Sequence, residues 1–243
     1  MRVDALALQL RPRPMAEAAD LGVLLVHQHA RSLLRTWGPL YAAVALLAMA
    51  TIEFGGWVPG LLVFWLKPWL DRSLLFVLSR AVFGEATRFA DLWAQRRAVW
   101  GGDLLATLTL RRLSPWRSYT QPIGQLEGQR GKPRRQRREQ LLKGKRGAAA
   151  GMHMMFANVE AILAIAVLTL AILFAPEGTH RDVLAWLLAS GSIANEAMGN
   201  LVYLLVIGLL EPFYVAAGLC MYLNRRVELE AWDIEQEFRR AFA

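Results

Sequence analysis

Five ionisable residues stand inside long apolar runs of this 243-residue chain: Lys67, Asp71, Arg72, Glu160 and Glu211. A charge in hydrocarbon is costly unless it pairs or reaches water, so such residues mark one of two things: an ion pair that fixes helix register, or a path for a substrate or proton. At helical rise, Lys67 lies about ten residues into its run and Glu211 about fourteen into its own, which brings both near a midplane and lets them pair. Charge reversal at Glu211 is expected to lower membrane accumulation, and simultaneous reversal at Lys67 to restore it. Glu160 sits at a depth similar to Asp71 and Arg72, so a second pair, Glu160 with Arg72, is expected. Lys67 and Asp71, spaced i,i+4, could instead neutralise each other on one helix face. Pro68 and Pro212 each follow a charged residue and each removes a backbone hydrogen bond. Paired breaks of this kind can line a transporter site.

A second concentration of chemistry runs from Gly128 to Arg146. It holds nine basic residues, Arg130, Lys132, Arg134, Arg135, Arg137, Arg138, Lys143, Lys145 and Arg146, against the single acid Glu139. Its net charge of +8 equals the formal charge of the whole chain. Three uses can be weighed for such a segment. It can hold itself at the inner face of a membrane and bind anionic lipid head groups, at roughly 1 kcal/mol per basic residue near the surface. It can dock an acidic partner, the chain's own acidic tail after Arg226 included. Nucleic-acid binding is not expected, because no aromatic residue interleaves the charges and no folded module is recognisable.

Other residue types offer less. His27 and His29 are two apart and do not share a helix face, so they do not chelate one metal. The run Met152-His153-Met154-Met155 has soft ligands, but consecutive helical positions diverge and lipid-facing methionines are expected. Asn158, Asn195 and Asn200 are expected to hydrogen-bond between helices. Cys220 is the only cysteine, which excludes an intramolecular disulfide and a multi-cysteine site. Phosphate-loop, nucleophile-elbow and zinc-protease motifs are missing from the sequence. The expectation is therefore no catalytic residue, no metal and no cofactor.

The elements that must position these groups are helices. Hydrophobic residues make up 55% of the chain and nine are tryptophan, more than a soluble core of this size needs, and the mean hydropathy is positive. Runs at 36–52, 57–79, about 152–175 and about 197–223 are of helical length and lack strand alternation. The expected architecture is all-α: a polytopic membrane bundle of about four transmembrane helices with interfacial amphipathic helices. Residues 1–243 form one integral membrane domain. Within it, an interfacial helix occupies 1–35, a first hairpin 36–82, a basic connection 83–150, a second pair of spans 151–223 and a tail helix 224–243.

Amphipathic patterns support helices at Pro14 to Arg35, at Gly84 to Ala98 and, between the last two spans, at Arg181 to Ala189. The tail pattern, from Leu229 through Trp232 to Phe242, is acidic on its polar face. Of 28 Lys and Arg residues, 27 fall on one side of this arrangement and Arg181 stands alone on the other. The positive-inside rule then places both termini and the 83–150 connection in the cytoplasm. The first residues lack an apolar core, so no secretory leader is expected.

Four stretches carry a resemblance: Leu10 to Arg13 (LRPR), Trp65 to Glu85 (WLKPWLDRSLLFVLSRAVFGE), Leu108 to Tyr119 (LTLRRLSPWRSY) with Gln125 to Gly131, and Glu211 to Arg240. Together they resemble an uncharacterised family of proteobacterial multi-pass inner-membrane proteins. The resemblance implies a bacterial inner-membrane location. Family members encoded beside a transglutaminase-like membrane protein and an AAA+ ATPase imply a role in envelope assembly. The tail is also loosely similar to the membrane domains of some glycerophosphodiester phosphodiesterases, but no catalytic cluster of those enzymes can be placed here. The functional expectation is a non-enzymatic scaffold or assembly component partnered by lipid and other membrane proteins, with a small transporter or permease subunit as the alternative.

Overall fold

A computed structural model describes residues 11–101, 107–109, 112–188 and 191–230. The tail pattern beyond Glu230, including Trp232 and Phe242, lies outside the described residues, as does Leu10. The described residues are helical throughout: α1 Met15–Thr36, α2 Gly38–Met49, α3 Val58–Ala81, α4 Phe89–Ala94, α5 Arg96–Trp100, α6 Arg117–Gln125, α7 Gly131–Leu142, α8 Arg146–Leu173, α9 His180–Leu188 and α10 Ile193–Glu230.

The longest helix sets the frame. α10 has 38 residues and spans roughly 57 Å, against about 30 Å of hydrocarbon in a bilayer. It therefore passes through two environments. In its first half Leu201, Leu205 and Leu209 are exposed, whereas from Glu211 to Tyr222 nearly every residue is buried. α1 runs along the buried half. It approaches closely enough that a Cβ on Gly22 would lie 2.5–2.7 Å from the backbone of Ala216 and Ala217. The Gly38-Pro39 step then ends α1 and starts α2, because a proline cannot donate into the preceding turn, and the two helices meet at 58°. α2 follows the first half of α10, where the Tyr41 hydroxyl donates to the Leu204 carbonyl at 2.5 Å.

α8 and α10 are long and apolar enough to cross a membrane, and the bent α1–α2 pair would make a third. α3 has 24 residues, but Lys67, Asp71, Arg72 and Arg80 interrupt its apolar run. Spans identifiable by length and composition thus number two or three, fewer than four. None of the apolar window of α8 is buried by protein.

The 83–150 connection departs from its expected form. It is no peripheral loop: Leu92, Val99, Tyr119, Ile123, Leu141 and Leu142 all enter the same core as Leu25, Leu74 and Leu219. These apolar residues are scattered through a largely polar stretch, yet four short helices, α4 to α7, insert them. The amphipathic pattern over 84–98 breaks at Gln95 into α4 and α5. α1 likewise turns Ala18, Leu25 and Leu33 into protein and leaves Val23, Leu24 and Leu34 at the surface.

Candidate functional site

Four of the five ionisable candidates, Lys67, Asp71, Glu160 and Glu211, converge with two residues that sequence reasoning missed, Arg112 and Arg117. Lys67 projects from α3 and donates through Nζ to Oε2 of Glu160 on α8 at 2.7 Å; its Nζ also lies 2.9 Å from Oε2 of Glu211 on α10. Glu211 receives a bond at Oε1 from Nη2 of Arg117 on α6 at 3.1 Å. Nε of the same guanidinium lies 3.1 Å from Oδ2 of Asp71, an ionic contact whose geometry falls short of a directed hydrogen bond. Arg112 supplies a third cation from the segment before α6, with Cζ 3.7 Å from the centre of the Phe64 ring. Three carboxylates, Asp71, Glu160 and Glu211, thus face three cations, Lys67, Arg112 and Arg117. Asp71 is 0% exposed, Glu211 3% and Arg117 6%, so this charge balance replaces water as the source of solvation.

Local sequence explains how Arg117 arrives there. α6 lies against Gly218 of α10, where any Cβ would collide with Ser118. The Ser118 hydroxyl donates to the Tyr214 carbonyl at 2.8 Å and its backbone N–H donates to the Tyr214 hydroxyl at 3.3 Å. Tyr214 in turn contacts Nδ1 of His153 at 3.0 Å and lies under the Arg117 guanidinium, 5.2 Å from its ring centre. Burial pulls the Arg117 pKa down, but the carboxylates, Asp71 foremost, more than offset it and hold the group above the ordinary arginine value. Arg112 is shifted the other way, lowered by burial and by the neighbouring Arg117 charge.

Two expected pairings are corrected. Glu160 meets Lys67 and not Arg72, which lines a second cavity with Arg117 and Gln125. Asp71 is served by Arg117, so the i,i+4 arrangement with Lys67 is not its neutralising partner. Lys67 and Glu211 do pair, but not in isolation, which removes the basis for a simple charge swap. Reversed, the carboxylate would face Glu160 and the ammonium would face Arg117. The signal that could have found Arg117 is weak: a single Trp-Arg-Ser-Tyr step inside a polar connection, with nothing to say that it folds inward.

Beside the cluster, a cavity of about 250 Å³ opens between α3, α8 and α10, with Lys67, Arg112, Glu160 and Glu211 on one wall and Phe64 and Phe156 on the other. Glu160 is its most exposed carboxylate, with 22% of the side chain accessible.

The basic stretch is mostly α7. Arg137 bonds Glu127 at 3.0 Å and also Glu230, while Lys145 donates to Glu228 at 3.0 Å. Burial opposes the charge on Arg137, but the hydrogen bonds it donates to Glu127 and Glu230 raise its pKa on balance. Arg135 pairs with Glu139 one turn on. Lys132, Lys143 and Arg146 are exposed, and the Tyr119 hydroxyl fixes the end of α7 by donating to the Leu141 carbonyl at 3.0 Å.

Of the smaller candidates, Asn200 bonds the Gly56 carbonyl at 2.6 Å and Asn195 the Leu187 carbonyl at 3.1 Å, both between elements, whereas Asn158 turns back to Met154 of its own helix. Among the described residues no three His, Cys, Asp or Glu side chains are grouped to hold a metal ion. Comparison with family models, with curated proteins and with solved structures gave no match.

Proposed function

We propose that this chain is a non-enzymatic scaffold of a bacterial inner membrane, with a folded body on the cytoplasmic side that presents a basic surface to partners. The observation that supports it most is the self-contained ionic cluster. Lys67 and Arg117 between them pair with its three carboxylates across α3, α6, α8 and α10, as a joint between a membrane part and a body requires. In this reading α2, α3, α8 and α10 are the four spans, the basic body and both termini are cytoplasmic, and α9 lies on the outer surface. The asymmetry of basic residues supports that orientation, and the resemblance to a proteobacterial family supports the membrane assigned.

One observation favours transport as the second reading: the partly exposed Glu160 carboxylate at the mouth of the 250 Å³ cavity. Reconstitution separates the two. A scaffold gives no proton or ion flux above protein-free liposomes, while flux abolished by Glu160→Gln in a normally folded protein would replace scaffold by transporter. The orientation is tested with Cys220 replaced by Ala. A membrane-impermeant maleimide on spheroplasts should label Asp182→Cys directly and Lys132→Cys only after permeabilisation; the reverse order overturns the topology.

A further inference from the structure

Lys67 and Arg117 share the three carboxylates of the ionic cluster, and Arg112 forms no ion pair or side-chain hydrogen bond among the described residues. It is nevertheless only 6% exposed, and its Nε is buried without an acceptor. The Phe64 ring covers one face of the guanidinium. A cation–π contact uses that face and leaves the N–H donors, which lie in the guanidinium plane, unsatisfied. Arg112 lines the 250 Å³ cavity, so an acceptor placed there completes its bonding. The same cavity holds a carboxylate with capacity to spare. Both oxygens of Glu211 are engaged, Oε1 by Arg117 and Oε2 by Lys67, whereas Glu160 bonds through Oε2 alone and its side chain is partly accessible.

The cavity has an apolar continuation. Phe64 also lines an open groove of about 480 Å³, together with Trp57 and Leu61 of α3 and Gly199 and Tyr203 of α10. Along α10, cavity and groove together extend from Gly199 to Leu210, about 16 Å at helical rise. One leaflet contributes roughly 15 Å to a hydrocarbon core of about 30 Å, so the groove has the length of an acyl chain in a bilayer.

We infer a binding site for a phospholipid whose head group carries a phosphate diester and a primary ammonium, the phosphoethanolamine class. The phosphate oxygens accept from the Arg112 fork, which matches them in pairs, the ammonium donates to Oε1 of Glu160, and one acyl chain runs past Phe64 into the groove. Net charge decides the class. Three carboxylates and three cations already balance at the cluster, so a head group with net charge would leave one charge uncompensated where water is largely excluded, and a zwitterion does not. A trimethylated ammonium has no N–H to give Glu160, which sets phosphocholine apart. The site rests on the membrane location of α3, α8 and α10 and not on whether the chain is a scaffold or a transporter.

The test uses the full chain in phosphatidylcholine nanodiscs with a trace of phosphatidylethanolamine that carries a photoactivatable diazirine in one acyl chain. Peptide mass spectrometry should find label in the groove, between Trp57 and Phe64 and between Gly199 and Tyr203, and unlabelled phosphatidylethanolamine should displace it better than phosphatidylglycerol. Arg112→Gln should lower groove labelling by about tenfold, the scale of one lost charge-assisted hydrogen bond, and Glu160→Gln by about threefold. Gly199→Leu alters no charge, and a Cβ there meets open space, so this variant keeps its fold and should still exclude the chain. Label on the bare face of α8 around Ile165, which reports lipid contact alone, should be equal in all variants. Groove labelling no stronger than that on α8, or unchanged by Arg112→Gln and by Gly199→Leu, overturns the site. Equal displacement by phosphatidylglycerol overturns the zwitterionic head group. Absence of label on α8 as well overturns the membrane location on which the site rests.

Discussion

The two ends of α10 share one helix and differ in almost everything that surrounds it. At the apolar end the buried cluster amounts to Ala48, Val63, Leu204 and Ile207, and large side chains such as Phe54, Ile165 and Leu205 are more than 60% exposed. At the basic end α1, α3, α6, α7 and the rest of α10 enclose a continuous core around Leu25, Leu74, Tyr119 and Tyr222. A core of that kind is what water demands. Bare leucines around isolated helices are what lipid permits, because the chains of the solvent are as apolar as the side chains. The difference teaches that hydropathy marks only the first region, and that the ionic cluster lies between the apolar end of α10 and its packed end.

The largest test of that boundary removes Glu211. Its carboxylate serves both Lys67 and Arg117, so Glu211→Leu leaves two buried cations short of a partner and should cost about 3–5 kcal/mol in unfolding free energy. Denaturant titration in mixed micelles reads this out. Because the cluster is shared, adding Lys67→Glu to Glu211→Lys should not restore the stability lost in the single variant. Full restoration would show an isolated pair and dissolve the joint.

A smaller effect is expected wholly inside the basic end. Gly22→Val forces a side chain into the Ala216–Ala217 backbone, where nothing flexible can yield, and should cost about 1–3 kcal/mol as overpacked sites do. The same titration checks it. A loss below about 0.5 kcal/mol, the range of an ordinary surface change, would mean that α1 is not held against α10 as the packing describes.

What could be read from sequence follows the same division. α8 and α10 were legible because unbroken apolar runs need no partner to announce them, and α9 because its short apolar cluster is bounded by polar residues. The status of α3 was less clear: Lys67 and Asp71 interrupt its run for a reason that resides on other helices. Lys67 with Glu211 could be paired from depth alone, since both lie in apolar helical runs whose rise is fixed. Arg117 could not, because no counting rule carries a residue from a polar connection into the middle of a bundle; only the close approach at Gly218 and the Ser118–Tyr214 bonds do so. The basic stretch was legible as charge and not as shape. Its sequence does not distinguish Arg137, spent on Glu127 and Glu230, from Arg138, which lines the second cavity.

The smallest effect belongs to the apolar end, and it tests whether protein covers the face that is bare in the single chain. Leu205 and Leu209 are exposed on adjacent turns of α10, so in water their truncation would remove no packed contact and would, if anything, improve solubility. In a bilayer the same truncation exchanges leucine–lipid contact for alanine–lipid contact in folded and unfolded states alike. Leu205→Ala with Leu209→Ala should therefore shift unfolding free energy in nanodiscs by less than about 0.5 kcal/mol, as surface changes do, and leave secondary structure by circular dichroism unchanged. A loss of about 2–5 kcal/mol, the size of a core leucine deletion, would instead show that protein covers this face, as it would in an oligomer built through the apolar end of α10.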